Sequence, residues 1–212
     1  GARKLALSVP PPVPSRSAPL MRVWCALSGH GYGHLVQLAP ILNRLAEAVP
    51  RLELHLAGAV PQEVAGRWLR CPFTLEPTPQ DVGLVQRGPM VADLPATRAA
   101  LRAFHDGWGP ALRDYAAALA DWRPDVLLAD IPYLPLAAAA QAGVPAVALS
   151  SFSWDRVLEG YFSLADPEVR GWWEAMRAAY ACADLALLVT PGLLGTAFRE
   201  LHAIEPAVEP IA

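Results

Sequence analysis

The stretch of sequence that decides the fold is Ser28-Gly29-His30-Gly31-Tyr32-Gly33-His34. It follows a short apolar run at residues 23–27 and precedes residues 35–48, in which large apolar side chains recur at helical spacing. A strand, a glycine-rich turn and a helix in this order are typical of an α/β unit. Because three glycines alternate through the turn, its backbone can adopt positive φ angles and a ligand can come close to it. We therefore predict that this turn contacts a ligand.

Apolar strands and amphipathic helices alternate along the rest of the chain. We predict strands at residues 22–28, 52–57, 71–75, 125–129, 146–149 and 185–189, and helices at residues 35–48, 61–69, 95–122, 134–142, 156–163 and 167–182. The helix at 95–122 should kink near Gly107 and Pro110, and residues 76–94 should form a long loop. This alternation predicts parallel strands joined by right-handed crossovers, and hence an α/β fold with a Rossmann-like, doubly wound parallel sheet.

The length of 212 residues is sufficient for one α/β domain with a large core. We predict this domain over residues 21–204. Residues 1–20, which contain five prolines, are expected to be a disordered leader or an expression remnant, and residues 205–212 the start of an interdomain linker. The hydrophobic fraction of 54% exceeds the typical value of about 45–50%. The excess is compatible with a face that another domain covers.

Charge and cysteine usage argue against several classes of protein. A net charge of −3 gives no reason to expect a nucleic-acid partner, which needs a basic surface. No apolar run reaches the about 20 residues of a membrane-spanning helix, although peripheral contact with a membrane is left open. Cys25, Cys71 and Cys182 form no closely spaced pair, so we expect neither a disulfide framework nor a zinc site. Free thiols favour a reducing compartment and predict a cytoplasmic protein.

Two side chains are predicted to meet at the carboxyl edge of the sheet. With the common strand order 3-2-1-4-5, the strand that ends at Ser28 lies beside the strand that ends at Asp130. At this point the strand order changes direction, and ligands bind in the crevice that results. His34 stands where the first helix begins, so its ring should face the carboxylate of Asp130.

A histidine and an aspartate in this arrangement suit general base catalysis. The positive end of the helix dipole disfavours the imidazolium form of His34 and keeps the ring available as a base. Asp130 would fix the tautomer and stabilise the imidazolium ion that forms when the ring takes a proton from a hydroxyl group. The alternative is structural: His34 would only hydrogen-bond within the turn, and Asp130 would cap the helix that follows it.

The turn does not match the common nucleotide-binding motifs. A dinucleotide fingerprint needs a third glycine where this chain has His34, and an acidic residue after the second strand, where it has Ala57-Gly58-Ala59. A P-loop needs a lysine followed by serine or threonine after its glycines, and none is present. Backbone N–H groups of the turn can still contact an anion such as a phosphate.

Several motifs resemble those of a known family, the GT-B glycosyltransferases of the UDP-glycosyltransferase superfamily. The first turn and helix of that family are matched by Gly33-His34 followed by Leu38, Ala39, Arg44 and Leu45. A later strand, helix and strand of the family resemble Pro124-Asp125-Val126-Leu127-Leu128-Ala129-Asp130, the alanines at 137–140, and Ala142-Gly143-Val144-Pro145. Ser151-Phe152-Ser153-Trp154-Asp155 is similar to the glycosyltransferase-like N-terminal segment of arabinokinase-type proteins and their bacterial relatives.

By this resemblance, His34 is the general base that activates the acceptor hydroxyl group, and Asp130 is its partner. The residues expected to line the acceptor side of the cleft are Ser28, His30, Gly31, Gly33, Ser150, Ser151 and Trp154. The resemblance also implies a nucleotide-sugar donor, a small-molecule or lipid-linked acceptor, and no metal ion or cofactor. The chain departs from the family at Gln37, where many members have proline, and at His30, which the family does not generally have.

A GT-B enzyme has two Rossmann-like domains, and this chain resembles the first. Residues 21–204 are therefore expected to be the acceptor-side N-terminal domain, inactive without a C-terminal donor-binding domain. Two other functions are left open, a non-catalytic sugar- or nucleotide-binding module and a GT-B nucleotide-sugar epimerase. Away from the turn, His105 and His202 are expected on solvated helix faces.

Overall fold

The computed structural model describes residues 19–30, 32–88, 91–193 and 195–207. Within these ranges the strands are β1 (Met21–Leu27), β2 (Leu52–Ala57), β3 (Phe73–Glu76), β4 (Gln86–Gly88), β5 (Val91–Ala92), β6 (Val126–Asp130), β7 (Ala146–Phe152), β8 (Leu185–Leu193) and β9 (Leu201–Ile204). The helices are α1 (Gly33–Ala48), α2 (Gln62–Trp68), α3 (Leu94–Asp106), α4 (Trp108–Trp122), α5 (Leu134–Ala142), α6 (Trp154–Tyr161) and α7 (Pro167–Tyr180). None of these helices is long and apolar enough to cross a membrane.

Seven of the described strands form one parallel sheet in the order β3-β2-β1-β6-β7-β8-β9. From β1 the chain moves to one edge through β2 and β3, and then returns to the other side of β1 through β6. The predicted strand order around the switch point is confirmed, because β1 pairs with both β2 and β6. Leu27 is level with Asp130 in this pairing. The carboxyl ends of β1 and β6 therefore meet at one edge of the sheet.

The central strand β1 is buried on both faces. Trp24 and Ala26 belong to a core cluster that includes residues of α4, α5 and α7. Val23, Cys25 and Leu27, which alternate with them, belong to a second cluster with residues of α1 and α2. A continuous apolar strand between two helical layers is what a doubly wound parallel sheet requires.

Turn and capping residues fix the helix ends near the sheet edge. The side chain of Asp93 accepts a hydrogen bond of 3.0 Å from the backbone N–H of Ala96, and so caps α3. Helix α5 has Pro135 in its first turn and is followed by Gly143, whose φ of +70° lies in the left-handed region that favours glycine.

The structure corrects several expectations about the helices and strands. The helix predicted over residues 95–122 is two helices, α3 and α4, because Gly107 separates them and the early position of Pro110 in α4 is one that proline tolerates. The loop predicted over residues 76–94 contains the antiparallel hairpin of β4 and β5. Strand β9 was not predicted, and the exposed His202 lies on it rather than on a helix. Strand β7 extends to Phe152, beyond the predicted residue 149.

His105 does not lie on a solvated helix face. Its half-buried ring stacks near the rings of Trp108, Tyr133 and Trp172, with centroids 5.8 to 6.0 Å away. The hydroxyl group of Tyr133 lies 3.1 Å from its Nε2 atom. Burial lowers the pKa of His105 from 6.5 to about 4. The ring is therefore a neutral member of an aromatic cluster between α3, α4, α5 and α7.

Candidate functional site

His34 and Asp130 are in direct contact at the carboxyl edge of the sheet. His34 is the second residue of α1, and Asp130 is the last residue of β6. The Nδ1 atom of His34 lies 2.9 Å from Oδ1 of Asp130, and the carboxylate is fully buried. A carboxylate can only accept a hydrogen bond, so Nδ1 of His34 must carry the proton that it donates to Asp130. The neutral ring then keeps its lone pair on Nε2. This is the tautomer that a general base needs.

Further polar groups hold the Asp130 carboxylate in place. Nε2 of Gln37, one helical turn after His34, lies 3.4 Å from Oδ2 of Asp130. The buried Ser150 also acts on this carboxylate and lowers its pKa. Asp130 does not cap the next helix. The N-cap residue of α5 is Tyr133, and no side chain forms a capping hydrogen bond there. The capping alternative for Asp130 is therefore wrong. Gln37, which stands where many members of the resembled family have proline, thus contacts the carboxylate of Asp130.

Burial and charge act in opposite directions on this pair. Burial raises the pKa of the Asp130 carboxyl group, whereas the hydrogen bonds from His34 and Ser150 lower it. Burial alone would lower the pKa of His34, but its hydrogen bond to Asp130 and the negative charges of Asp130 and Asp81 raise the pKa above the ordinary value of 6.5. The sequence favoured a depressed pKa on account of the helix dipole. The structure instead gives His34 a raised pKa, because of its contacts with the carboxylates.

A second buried carboxylate, Asp81, lies in the loop between β3 and β4. Its Oδ1 atom accepts a hydrogen bond of 3.1 Å from the hydroxyl group of Ser28, and its Oδ2 atom accepts one of 2.6 Å from the indole N–H of Trp154. Nε2 of His30 lies 4.0 Å from Oδ1 and accepts a hydrogen bond of 2.6 Å from the backbone N–H of Gly83. Three residues predicted from the sequence are thus brought together around a side chain that was not predicted.

An open cleft of about 630 Å³ is lined by the two histidines that lie next to these carboxylates, His34 beside Asp130 and His30 beside Asp81. Four residues that the sequence predicts for the cleft, His30, Gly33, Ser151 and Trp154, line it together with His34. Its other lining residues were not predicted: Gln37, Leu84, Gln86, Phe152, Val157 and Tyr161. The aromatic wall is continuous with His34, since the ring of Phe152 lies 5.4 Å from that of His34 and 5.1 Å from that of Trp154. None of these lining residues is a lysine, arginine, aspartate or glutamate.

Two predicted lining residues occupy a different position. Ser28 and Ser150 are fully buried behind the cleft wall, where Ser28 donates a hydrogen bond to Asp81 and Ser150 lowers the pKa of Asp130. Gly31 lies outside the residues that the structure describes. Phe152 and Tyr161 could not be singled out, because their role depends on the extension of β7 and on the packing of α6. Among the described residues, no group of three histidine, cysteine or acidic side chains could hold a metal ion.

No protein-family model matches this chain, and no curated protein is similar enough in sequence to count as a match. Solved structures do match its fold. A UDP-glucosyltransferase from Polygonum tinctorium capable of glucosylating indoxyl is 14% identical, with a TM-score of 0.55 over 92% of this chain and 55% of its own. The glycotransferase of kitacinnamycin is 20% identical, with a TM-score of 0.56 over 92% of this chain and 54% of its own.

The calicheamicin glycosyltransferase CalG4 gives the same result, with 16% identity and a TM-score of 0.54 over 88% of this chain and 53% of its own. The chain thus spans about half the length of each of these structures. At this level of identity the likeness concerns the fold. The chain has the Rossmann-like α/β fold found in the GT-B glycosyltransferases that it resembles.

Proposed function

We propose that this chain is the acceptor-side domain of a GT-B glycosyltransferase that transfers a sugar from a nucleotide-sugar donor to a hydroxyl group. The observation that carries this proposal is the contact of 2.9 Å between His34 and a fully buried Asp130, at the wall of an open cleft. The position of the pair at the switch point of the sheet, where α/β proteins bind ligands, supports it.

In the proposed reaction, Nε2 of His34 takes the proton of the acceptor hydroxyl group as its oxygen attacks the anomeric carbon of the donor. A new bond forms between this oxygen and carbon, while the bond between the anomeric carbon and the phosphate oxygen breaks. The nucleoside diphosphate leaves with that electron pair. Asp130 holds the imidazole in the required tautomer and stabilises the imidazolium ion, as a carboxylate does in other base-assisted reactions. Displacement from the opposite face inverts the anomeric centre.

The cleft lining favours an uncharged, partly aromatic acceptor. Phe152, Trp154 and Tyr161 supply aromatic surface, and Leu84 and Val157 supply apolar surface. Gln37, Gln86 and Ser151 can form hydrogen bonds without a net charge. Among the described residues that line the cleft, none is a lysine or arginine that could pair with a phosphate or carboxylate on the acceptor. A small molecule with an aryl hydroxyl group therefore fits better than an acidic one.

The donor-binding domain is proposed to lie outside this chain. The support is the length of the similar structures, about half of which the chain spans. We expect a nucleotide sugar to bind the full-length protein measurably and the 212-residue chain weakly, by isothermal titration. Tight binding of the nucleotide sugar to the chain alone would contradict this division of roles. We also propose that the domain is related to the glycosyltransferase-like segment of arabinokinase-type proteins. We propose a cytoplasmic location as well, which the free thiols favour.

The catalytic proposal is tested with His34→Ala in the full-length protein. UDP-glucose and 4-nitrophenol are the probes, and release of UDP and formation of the glucoside are measured. Loss of the base should lower kcat by about 10²- to 10⁴-fold. His202→Ala is the matched control, because His202 is exposed on β9 and pairs only with Glu200 in the described contacts. Its activity should equal that of the wild type.

Three results would contradict the proposal. Activity of His34→Ala within about tenfold of the wild type would exclude His34 as the base. Binding of UDP-glucose without transfer to any of a series of phenols and alcohols would favour the non-catalytic binding module. Isomerisation of the donor sugar without an acceptor would favour the epimerase.

A further inference from the structure

Asp81 is a buried carboxylate that the proposed mechanism does not use. Its side chain is 1% exposed, and it lies in the loop after β3 rather than on a strand or helix. A buried charge is costly unless hydrogen bonds replace its lost contacts with water. Each of its two oxygens accepts one such bond, from Ser28 and from Trp154. Asp81 therefore links the turn after β1 to the start of α6.

Trp154 is held at two points, its backbone N–H and its indole ring. Its backbone N–H donates a hydrogen bond of 3.0 Å to the hydroxyl group of Tyr180, which itself donates one of 3.1 Å to the carbonyl oxygen of Ile131. Its ring N–H donates to Asp81 at 2.6 Å. The backbone bond fixes where the side chain begins, and the bond to Asp81 fixes the direction of the ring. Trp154 thus forms a rigid part of the cleft wall.

His30 is fixed by the same loop. Because Nε2 accepts the N–H of Gly83, the proton of the neutral ring resides on Nδ1. Burial also lowers the pKa of His30, against the opposing charge of Asp81, and this favours the neutral ring. A Cβ atom at residue 83 would overlap the rings of His30 and Trp154, so only glycine fits at this position. The two rings lie edge to face with centroids 5.2 Å apart.

We propose that Asp81 is a positioning residue of the acceptor cleft, which fixes Trp154 and, through the loop that carries Gly83, His30, so that the Nδ1–H of His30 is available to the bound acceptor. This inference rests on the function proposed above. It gives the two cleft histidines complementary roles. His34 receives a proton at Nε2, whereas His30 donates a hydrogen bond from Nδ1 and keeps its proton.

Asp81 also contributes to the electrostatic environment of His34. The titratable groups that act on the His34 ring are Asp130 from β6, Asp81 from the loop after β3, and His30 from the same turn. Removal of the Asp81 charge should therefore lower the pKa of His34. The acid limb of the pH profile of kcat/KM, which rises as His34 loses its proton, should shift to lower pH.

The test is Asp81→Asn in the full-length protein, with UDP-glucose and 4-nitrophenol as probes. Asparagine keeps the size of the side chain but removes its charge, and its NH2 group cannot accept the hydrogen bond that Ser28 or Trp154 donates to the oxygen it replaces. We expect KM for 4-nitrophenol to rise roughly tenfold, from the loss of a hydrogen bond to a charged group, and kcat to change less. Trp154→Phe removes the N–H donor together with part of the ring. It should raise KM for 4-nitrophenol by a similar factor. The double variant should show less than the product of the two effects.

Asp114→Asn is the matched control, because Asp114 is exposed on α4. An unchanged KM and pH profile for Asp81→Asn, with the fold intact by circular dichroism, would overturn the positioning role while leaving the proposed function in place. If the wild type transfers no sugar, the proposed function fails. Equilibrium binding of 4-nitrophenol then decides the role of Asp81, with a roughly tenfold higher Kd expected for Asp81→Asn and an equal Kd overturning the inference.

Discussion

Asp130→Asn tests whether the charge of the buried carboxylate, rather than its shape, is needed at the candidate site. In the wild type, Oδ1 faces Nδ1 of His34 at 2.9 Å and Oδ2 faces Nε2 of Gln37 at 3.4 Å. The asparagine oxygen is expected to stay where Gln37 donates, so its NH2 group then faces His34. The His34 ring must accept that N–H at Nδ1 and carry its own proton on Nε2. In this tautomer Nε2 has no lone pair for the acceptor hydroxyl group.

The expected loss follows from this change of tautomer and from the lost stabilisation of the imidazolium ion. Replacement of such a carboxylate by its amide lowers kcat by about 10³- to 10⁴-fold, which corresponds to about 4 to 5.5 kcal/mol. Initial rates of UDP release from UDP-glucose, with 4-nitrophenol as acceptor, measure it in the full-length protein. Asp121→Asn, on the exposed face of α4, is the control and should retain full activity.

The pH dependence gives a second readout. The Asp130 hydrogen bond and charge raise the pKa of His34 above 6.5, so activity of the wild type should fall as the pH drops through that raised pKa. In Asp130→Asn the residual activity should fall at a lower pH, because the negative charge that stabilises the imidazolium form in the wild type is gone and the pKa of His34 is lower. Activity within tenfold of the wild type and an unshifted pH profile, in a folded variant, would refute the dyad.

Two further substitutions test the packing behind the cleft. The pKa of His105 is lowered to about 4, so between pH 6.5 and pH 4 the unfolded chain binds a proton that the folded chain does not, and stability is lost as the pH falls. After allowance for the partial exposure of the ring, His105→Phe should remove about 1–2 kcal/mol of the difference in unfolding free energy between pH 7 and pH 4.5. Urea unfolding measures it, His202→Phe is the control, and an unchanged difference would contradict the argument. Tyr180→Phe leaves the N–H of Trp154 and the carbonyl of Ile131 without their shared partner and should cost about 1–3 kcal/mol of stability. Tyr161→Phe, at a half-exposed tyrosine, should cost nothing measurable in the same denaturant titration, and equal stability of the two variants would show that the buried hydrogen bonds do not matter.

The switch point could be predicted because it depends only on the order of strong, regular elements. Strand β2 and helix α5 have the predicted bounds, and the adjacency of β1 and β6 follows from the alternation of strands and helices. The meeting of His34 and Asp130 follows in turn, since each stands directly at the end of an element that the topology places. No detail of side-chain packing was needed.

Asp81 could not be predicted because its position depends on tertiary contacts. The loop from residue 77 to residue 85 has no apolar period, and it is held by side chains from distant elements: Ser28, Trp154 and His30. The same reason explains why the hairpin of β4 and β5 and the short strand β9 were missed. Both contain few residues, and strands β4 and β9 show largely exposed side chains.

The two buried carboxylates of the cleft differ in what their partners can do with a proton. The principal partner of Asp130 is an imidazole ring, which can take up a proton and become a cation. The donors to Asp81 are a hydroxyl group and an indole N–H, neither of which gains a proton at ordinary pH. His30, the nearby imidazole, is 4.0 Å from Asp81 and already accepts the N–H of Gly83. Of the two imidazoles that the structure describes in this cleft, His34 is therefore the one that we propose as the base, and we propose that Asp81 positions the cleft wall.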